Sequence, residues 1–375
     1  MKPLRILQTE AATGFGGQEQ YIFRMMCAMR DLGHHLEAAC QPHAQLTNRL
    51  TDAGFTVHTL YTDGPVNYVR GVVRLRAILR RGRFDVLNTN SRRDTLLAGV
   101  AGRLAGTPLI VRTRHLAKRV GSLLSYTGVP HRVCTSSEFV RGLLLAKGVD
   151  PAHVCVVHPC IQEGYCTADR TGALRSELGL SADDILVGCV AVMREEKGHR
   201  DLIEAMEPLL NDLPAVHLIL VGGGSPGFEQ ISALVADRGL TGQVHLLGAR
   251  SDVIRIMPDL DVFALATHME AAGMVFAEAG ACGVPVVGTR VGGVPEMVDA
   301  GNSGLLVPVG DVSGLREAIR VLILDPDRRE RMGAAGRAFC CDGERFSPRA
   351  MARRMESTYR EWLRQRGFED SGDQP

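Results

Sequence analysis

At 375 residues and 45% hydrophobic content, the chain is long enough for two cores, and its ten cysteines lack metal-ligand spacing, which argues against a structural zinc. Adjacent Cys340 and Cys341 suit no ordinary disulfide framework, so reduced thiols in a cytosolic protein are expected. The segment Met1–Leu7 is too short in its apolar part for a secretory leader, and no apolar run approaches the roughly 20 residues of a spanning helix. The net charge of +1 hides an asymmetry: residues 1–150 hold 21 Lys/Arg against 10 Asp/Glu, the remainder 22 against 32. The basic half suits anionic partners or the acidic half itself. With 5% aromatics and no basic-aromatic interleaving, no nucleic acid is expected.

In chain order, RILQ (5–8), LEAAC (36–40), TVHTL (56–60), DVLNTN (85–90), PLIVRT (108–113), RVCTS (132–136) and VCVV (154–157) read as strands between helix-like segments. This alternation predicts a helix-covered parallel sheet, a first domain over 1–165. After an irregular Pro/Gly-bearing passage the alternation restarts with ILVGCVAV (185–192), VHLILVG (216–222), VHLLG (244–248), DVFALAT (261–267), VPVVGT (284–289) and GLLVPVG (304–310). A second doubly wound α/β domain is therefore expected over 183–345, followed by an amphipathic helix at 347–365 and a polar tail at 366–375.

In such sheets ligands bind beyond the carboxyl ends of the strands, where helix N-termini aim amides at anions. The loop GFGGQEQ (14–20), with Gly16 and Gly17, permits close backbone approach but lacks the full dinucleotide spacing, so no NAD is expected. Segment 66–84 is helical by period, with apolar Val69, Val72, Val73, Leu75, Ile78 and Leu79 and six arginines at 70, 74, 76, 80, 81 and 83. In VRTRHLAK (111–118), His115 ends a strand. In VMREEKGHRDLIEA (192–205), Arg194 and Lys197 precede a helix and can direct charge at a phosphate, while VGGGSPG (221–227) reads as a connecting turn. Asp259 and Asp261 introduce a strand rather than end one, so no metal is expected on them. In EAAGMVFAE (270–278) a helix starting near Met274 leaves the amides of Gly273, Met274 and Val275 at its N-terminus. Glu270 then lies in the loop and Glu278 one turn into the helix. Carboxylates accept from paired hydroxyls, so this arrangement fits a phosphate flanked by polyols.

The run EAAGMVFAEAGACGVPVVGT, followed by Gly292, Gly293 and Glu296, resembles the signature of glycosyltransferase family 4, and REEKGHRDLIEA resembles that family's Arg/Lys-Gly segment. GFGG and His115 match its N-terminal loop and histidine more diffusely. The resemblance implies the GT-B fold, two Rossmann-like domains facing a cleft with the last helix crossing back. It further implies a retaining, metal-independent transfer from a nucleotide-diphosphate sugar, a UDP-sugar being favoured, with no cofactor.

By position, Glu270 would hold donor-sugar hydroxyls, Glu278 the ribose, and the Gly273–Val275 amides the sugar and diphosphate. Arg194 and Lys197 would neutralise the leaving group, and His115 and Gly16 would face the donor. Ala271 and Ala272 depart from the usual Gly-Phe. The expected partners are a nucleotide-sugar donor, a glycan or glycolipid acceptor as in lipopolysaccharide assembly, and an anionic membrane surface on the cytoplasmic side. A nucleotide-sugar epimerase and a non-catalytic nucleotide-sugar-binding protein remain alternatives.

Overall fold

The structure, a computed structural model, describes residues 2–368, apart from the Glu344 side chain. The chain forms two compact units, Met1–Cys160 with Pro348–Pro375 and Ile161–Ser347. The tail expected at 366–375 falls mostly outside the described residues.

The first unit is built on β1 (Arg5–Glu10), β2 (His35–Cys40), β3 (Thr56–Thr59), β4 (Val86–Thr89), β5 (Leu109–Arg114), β6 (Arg132–Thr135) and β7 (Val154–Val156). All pair in parallel, in the order β3-β2-β1-β4-β5-β6-β7. The helix Gly17–Asp31 buries Ile22, Met25, Met26 and Met29 on one face. The helix Pro348–Gln365 packs against it, burying Met351, Met355, Tyr359 and Trp362 at helical spacing. The Tyr359 hydroxyl, inside that core, accepts from Asn88 Nδ2 at 2.8 Å.

The second unit carries β8 (Ile185–Val190), β9 (Val216–Val221), β10 (Val244–Gly248), β11 (Val262–Leu265), β12 (Val286–Thr289) and β13 (Gly304–Val307). They form a parallel sheet in the order β10-β9-β8-β11-β12-β13. Each strand segment read from the sequence is a strand here, and the architecture is two Rossmann-like α/β domains. Near-continuous Val, Ile and Leu runs make this legible, because a strand covered on both faces needs no polar alternation.

The division between units differs from the expected one. It falls at Cys160/Ile161, and residues 166–182, read as lying between domains, belong to the second unit. Two carboxylates hold them there. Asp259 accepts from the amides of Thr171, Gly172 and Leu174 at 2.7–2.9 Å, capping the helix Ala173–Leu178. These backbone bonds draw its pKa down against the opposing effect of burial. Asp261 pairs with Arg170 at 2.9 Å and Arg175 at 2.5 Å and accepts from the Leu186 amide. Both aspartates precede β11, and Glu270 follows it.

A second correction concerns the cysteines. Cys341, expected as a free thiol, is disulfide-bonded to Cys166, with Cα atoms 5.9 Å apart. The end of the helix Pro326–Cys341 is brought beside the turn Tyr165–Thr167, a proximity that sequence spacing does not reveal. The neighbouring Cys340 is a free, buried thiol.

Asp261→Ala leaves Arg175, whose side chain is 8% exposed, without its counter-ion. Removal of one member of a buried pair costs about 3–5 kcal/mol. The variant is expected to unfold at a clearly lower denaturant midpoint, and a midpoint matching the parent would show that the pair contributes nothing.

Candidate functional site

Because every strand in each unit is parallel, the loops after the strands gather along one edge of each sheet. In the second unit three such loops meet at Glu270. The loop after β8 turns through Arg194 into the short helical turn Glu195–Lys197 and ends on Gly198, whose φ is 64°. A Cβ at Gly198 would stand 2.0 Å from the Ala266 carbonyl oxygen, so only glycine lets this loop lie on the end of β11. The Glu196 carbonyl accepts from the Thr267 hydroxyl at 3.0 Å and the His268 amide at 2.8 Å. This docking brings Lys197 Nζ to 2.5 Å from Glu270 Oε2, both side chains being half-buried. Arg194 is exposed, and its guanidinium has no partner among the described residues.

From the other side comes the loop after β12. Gly292, at φ 57°, would place a Cβ 1.8 Å from the Glu270 carbonyl oxygen, and the Gly293 amide donates to that oxygen at 3.2 Å. Gly273 is the N-cap of the helix Met274–Ala281. That helix buries Phe276, Ala277, Ala279, Gly280 and Ala281, while Met274, Val275 and Glu278 share its more open face. Glu270, Glu278 and the first-turn amides therefore lie on successive pieces of one loop and helix.

Beside them is a cavity of about 370 Å³ lined by Arg194, His199, Arg200, Asp201, Gln230 and His268 among others. His268 Nε2 lies 2.7 Å from Asp201 Oδ2, a pairing no sequence signal indicated. Burial, and secondarily Lys197, pushes the His199 pKa down to about 4, so its imidazole is neutral near pH 7.

In the first unit the site expected at Gly16, Gly17 and His115 lies at the ends of β1, β4 and β5. His115 Nε2 lies 3.0 Å from Asn90 Oδ1, and its ring meets Tyr21 edge-on at 4.7 Å. Burial, reinforced by Arg112, drives its pKa down to about 3, so it acts as a neutral hydrogen-bonding group. Gly16 and Gly17 are exposed at the start of the helix Gly17–Asp31, where the Gly16 amide donates to Glu19 Oε2 at 2.7 Å.

A residue that sequence reading missed closes this loop. Glu10, 1% exposed at the end of β1, accepts from the amides of Ala11 at 2.7 Å and Ala12 at 2.8 Å, and pairs with the Gln18 side-chain amide. Both ends of the glycine loop are thus tied to one carboxyl group. Nearby Asp94, buried at the start of the helix Arg92–Ala105, accepts from the Thr9 hydroxyl at 2.6 Å and the amides of Asn90 and Ser91. The only available signal was a glutamate ending a buried strand just before a glycine loop.

The arginine-bearing segment forms the helix Pro65–Gly82. Val72, Leu75 and Leu79 face the core, but Val66, Val69 and Val73 are 60–64% exposed. Of the apolar positions of the helical period, Val69 and Val73 do not face the core but form an apolar ridge beside Arg70 and Arg74. No helix among the described residues is long and apolar enough to cross a membrane.

Comparison with known proteins gives two family models, "Glycosyl transferases group 1" over residues 171–339 and "Glycosyl transferase 4-like domain" over 16–160. The N-acetyl-alpha-D-glucosaminyl L-malate synthase of Bacillus anthracis is 32% identical over 53% of this chain, which spans about half (51%) of that relative's length. The D-inositol 3-phosphate glycosyltransferase of Actinosynnema mirum is 30% identical over 71% of this chain and 70% of its own. Among solved structures, a glycosyltransferase from Rickettsia africae superposes with a TM-score of 0.87 at 20% identity, covering 97% of this chain and 99% of that one. Anabaena HepE in complex with UDP does so with a TM-score of 0.83 at 20% identity, covering 95% and 99%. These likenesses match the GT-B fold.

Burial, with the nearby Asp94, pushes the Glu10 pKa up to about 8 from an ordinary value of 4.5. A carboxyl whose pKa is raised on folding contributes fully below about pH 4.5, and that contribution is lost as pH rises toward 8. Glu10→Gln does not titrate, and a turned Gln18 amide can satisfy it. Between pH 5 and 9 the thermal midpoint of the parent should therefore fall relative to that of Glu10→Gln. Parallel curves would show that Glu10 keeps one protonation state.

Proposed function

We propose that this chain, which belongs to the group 1 glycosyltransferases, transfers a hexosyl group from a nucleoside-diphosphate sugar to a hydroxyl acceptor with retention of configuration and without a metal ion. The observation that carries this reading is the docking of the Arg194–Gly198 loop on the Glu270 loop, with Lys197 Nζ 2.5 Å from Glu270. Breaking a sugar–diphosphate bond places negative charge on the departing phosphate and positive character on the anomeric carbon. Lys197, unpartnered Arg194 and the amides of Gly273, Met274 and Val275 meet the first; Glu270 meets the second and orients sugar hydroxyls. In the absence of donor, Lys197 and Glu270 neutralise each other, so binding exchanges their contact for one with each end of the substrate. Glu278 receives the ribose. A UDP-sugar is favoured, in keeping with the UDP named for the Anabaena relative of the same fold. Neutral His115 and the Gly16–Gly17 loop belong to the first unit's share of the substrates.

The acceptor is assigned to a glycan or glycolipid at the cytoplasmic face of a membrane, as in lipopolysaccharide-type assembly. The support is the exposed Val66, Val69 and Val73 ridge flanked by arginines on a domain that is basic overall. Apolar side chains enter the headgroup boundary while each neighbouring cation contributes about 1 kcal/mol toward an anionic leaflet.

Titration calorimetry with UDP, and hydrolysis of UDP-glucose with water as acceptor, test the donor side. Glu270→Gln should keep UDP affinity and lose most turnover, Lys197→Ala should lose about 100-fold or more in turnover, and Glu278→Ala should weaken UDP by about tenfold or more. Turnover should persist in EDTA. Parent-like turnover in Glu270→Gln, or UDP affinity unchanged in Glu278→Ala, removes the corresponding role.

Vesicle sedimentation tests the membrane assignment. Binding to anionic vesicles should be salt-sensitive and should fall in Val69→Ser/Val73→Ser as well as in Arg70→Gln/Arg74→Gln. Equal partition onto neutral and anionic vesicles, or none onto either, makes a soluble acceptor the better reading.

A further inference from the structure

Arg112 and Arg114 stand two residues apart on β5, pointing to the same side of the sheet, and each is 5% exposed. Every partner they have is neutral. Arg112 Nη1 donates to the Ser125 carbonyl at 3.1 Å and to the Ser125 hydroxyl, and its guanidinium lies 3.9 Å from the centre of the Tyr126 ring. Arg114 donates through Nη1 to the Tyr126 hydroxyl and through Nη2 to the Lys118 carbonyl. No carboxylate lies within ion-pair distance of either among the described residues. The closest candidate, Asp94, is already committed to Thr9, Asn90 and Ser91.

The unused donors are specific. Nε of Arg112 and Nε of Arg114 are buried without a hydrogen-bond partner. Arg112 Nη2 also makes no bond among the described residues, which leaves its Nε–Nη2 edge open, the two-donor edge that an oxyanion occupies. Ser136, directly after β6, has a buried and unpartnered hydroxyl, and its amide bonds the Arg114 carbonyl at 3.3 Å. Orphaned atoms on Gln41 and Thr62, just past β2 and β3, lie along the same strand-end edge.

Stacking on Tyr126 offsets part of the cost of burying two cations. It supplies no opposite charge, and burial holds the Arg112 pKa below its ordinary value. A fold keeps such a pair where a ligand completes it. Exposed Arg92, Lys118 and Arg119 surround the position in sequence and raise the local positive potential.

We propose that Arg112 and Arg114 recognise a phosphoryl or carboxyl group carried by the acceptor. The word acceptor rests on the transferase reading above; the anion preference rests on these residues alone. Arg112 takes two oxygens of the anion on its open edge, and Arg114 Nε donates to a third.

Inorganic phosphate is the probe, compared with chloride at equal ionic strength by thermal unfolding of the full chain. At ten times its dissociation constant phosphate should raise the midpoint by about 3–6 °C in the parent and equally in Lys197→Ala, in which the donor-side lysine is gone. Arg112→Met should unfold at a higher midpoint than the parent without phosphate, because an uncompensated charge is gone, and should lose the phosphate response. Arg112→Lys keeps the charge and the fold but not the two-donor edge, and its phosphate affinity should fall about tenfold. Glycerol 3-phosphate in solution and phosphatidic acid in vesicles separate a soluble acceptor from a lipid-linked one, each effect being lost in Arg112→Lys. Phosphate acting no more strongly than chloride, acting equally in Arg112→Lys, or ceasing to act in Lys197→Ala overturns the proposal. Failure of UDP to bind would sink the transferase reading and leave this result standing.

Discussion

The carbonyl oxygen of Glu270 lies where a side chain on residue 292 would have to be, and the carbonyl oxygen of Ala266 lies where a side chain on residue 198 would have to be. These two backbone approaches set the geometry of the second unit's strand ends. Because Gly198 and Gly292 allow contact without an intervening Cβ, the β8, β11 and β12 loops stack directly on one another. Their charged side chains then have little freedom in where they point. Lys197 meets Glu270 because its backbone has been fixed by the Glu196 carbonyl, which two donors from the β11 loop share. The Lys197–Glu270 arrangement is thus a property of main-chain packing first and of side-chain attraction second, which is how a site stays preorganised through a change of ligand.

The two units handle polar burial differently. In the second, Asp259 and Asp261 are buried yet saturated with amides and arginines, and they serve to hold residues 170–178 in place. In the first, seven buried side-chain atoms among the described residues lack a hydrogen-bond partner, and most of these lie along the ends of the strands. Groups satisfied internally report architecture; groups left unsatisfied at a strand-end edge report what the edge is for.

How much of this was legible from the sequence follows from contact range. The strands could be read because a covered parallel strand writes itself as a local apolar run, and Glu270, Gly273 and Glu278 because they fall within nine residues of one another. The unit boundary could not, since Arg170 and Arg175 are claimed by carboxylates more than 80 residues later. Nor could His268–Asp201, which joins the loop after β11 to the helix His199–Asp212, 67 residues away. The exposed valines of the Pro65–Gly82 helix were visible as apolar positions, but periodicity gives a face and not what covers it. The neutrality of His115 depends on burial, and the groups it touches, Tyr21 from the helix Gly17–Asp31 and Asn90 just past β4, are distant in sequence.

The bond between Cys166 and Cys341 closes a loop with a sequence separation of 175, and nearly all of the second unit lies inside it. Pulled from its two termini, as by an unfolding motor, the chain would transmit force from residue 166 to residue 341 through the sulfur atoms. The intervening polypeptide, roughly 600 Å of contour when extended, would carry no load. The first unit would be stretched and the second would travel as a slack ring, so mechanical resistance and thermodynamic stability would be distributed differently across the same molecule until the bond was reduced.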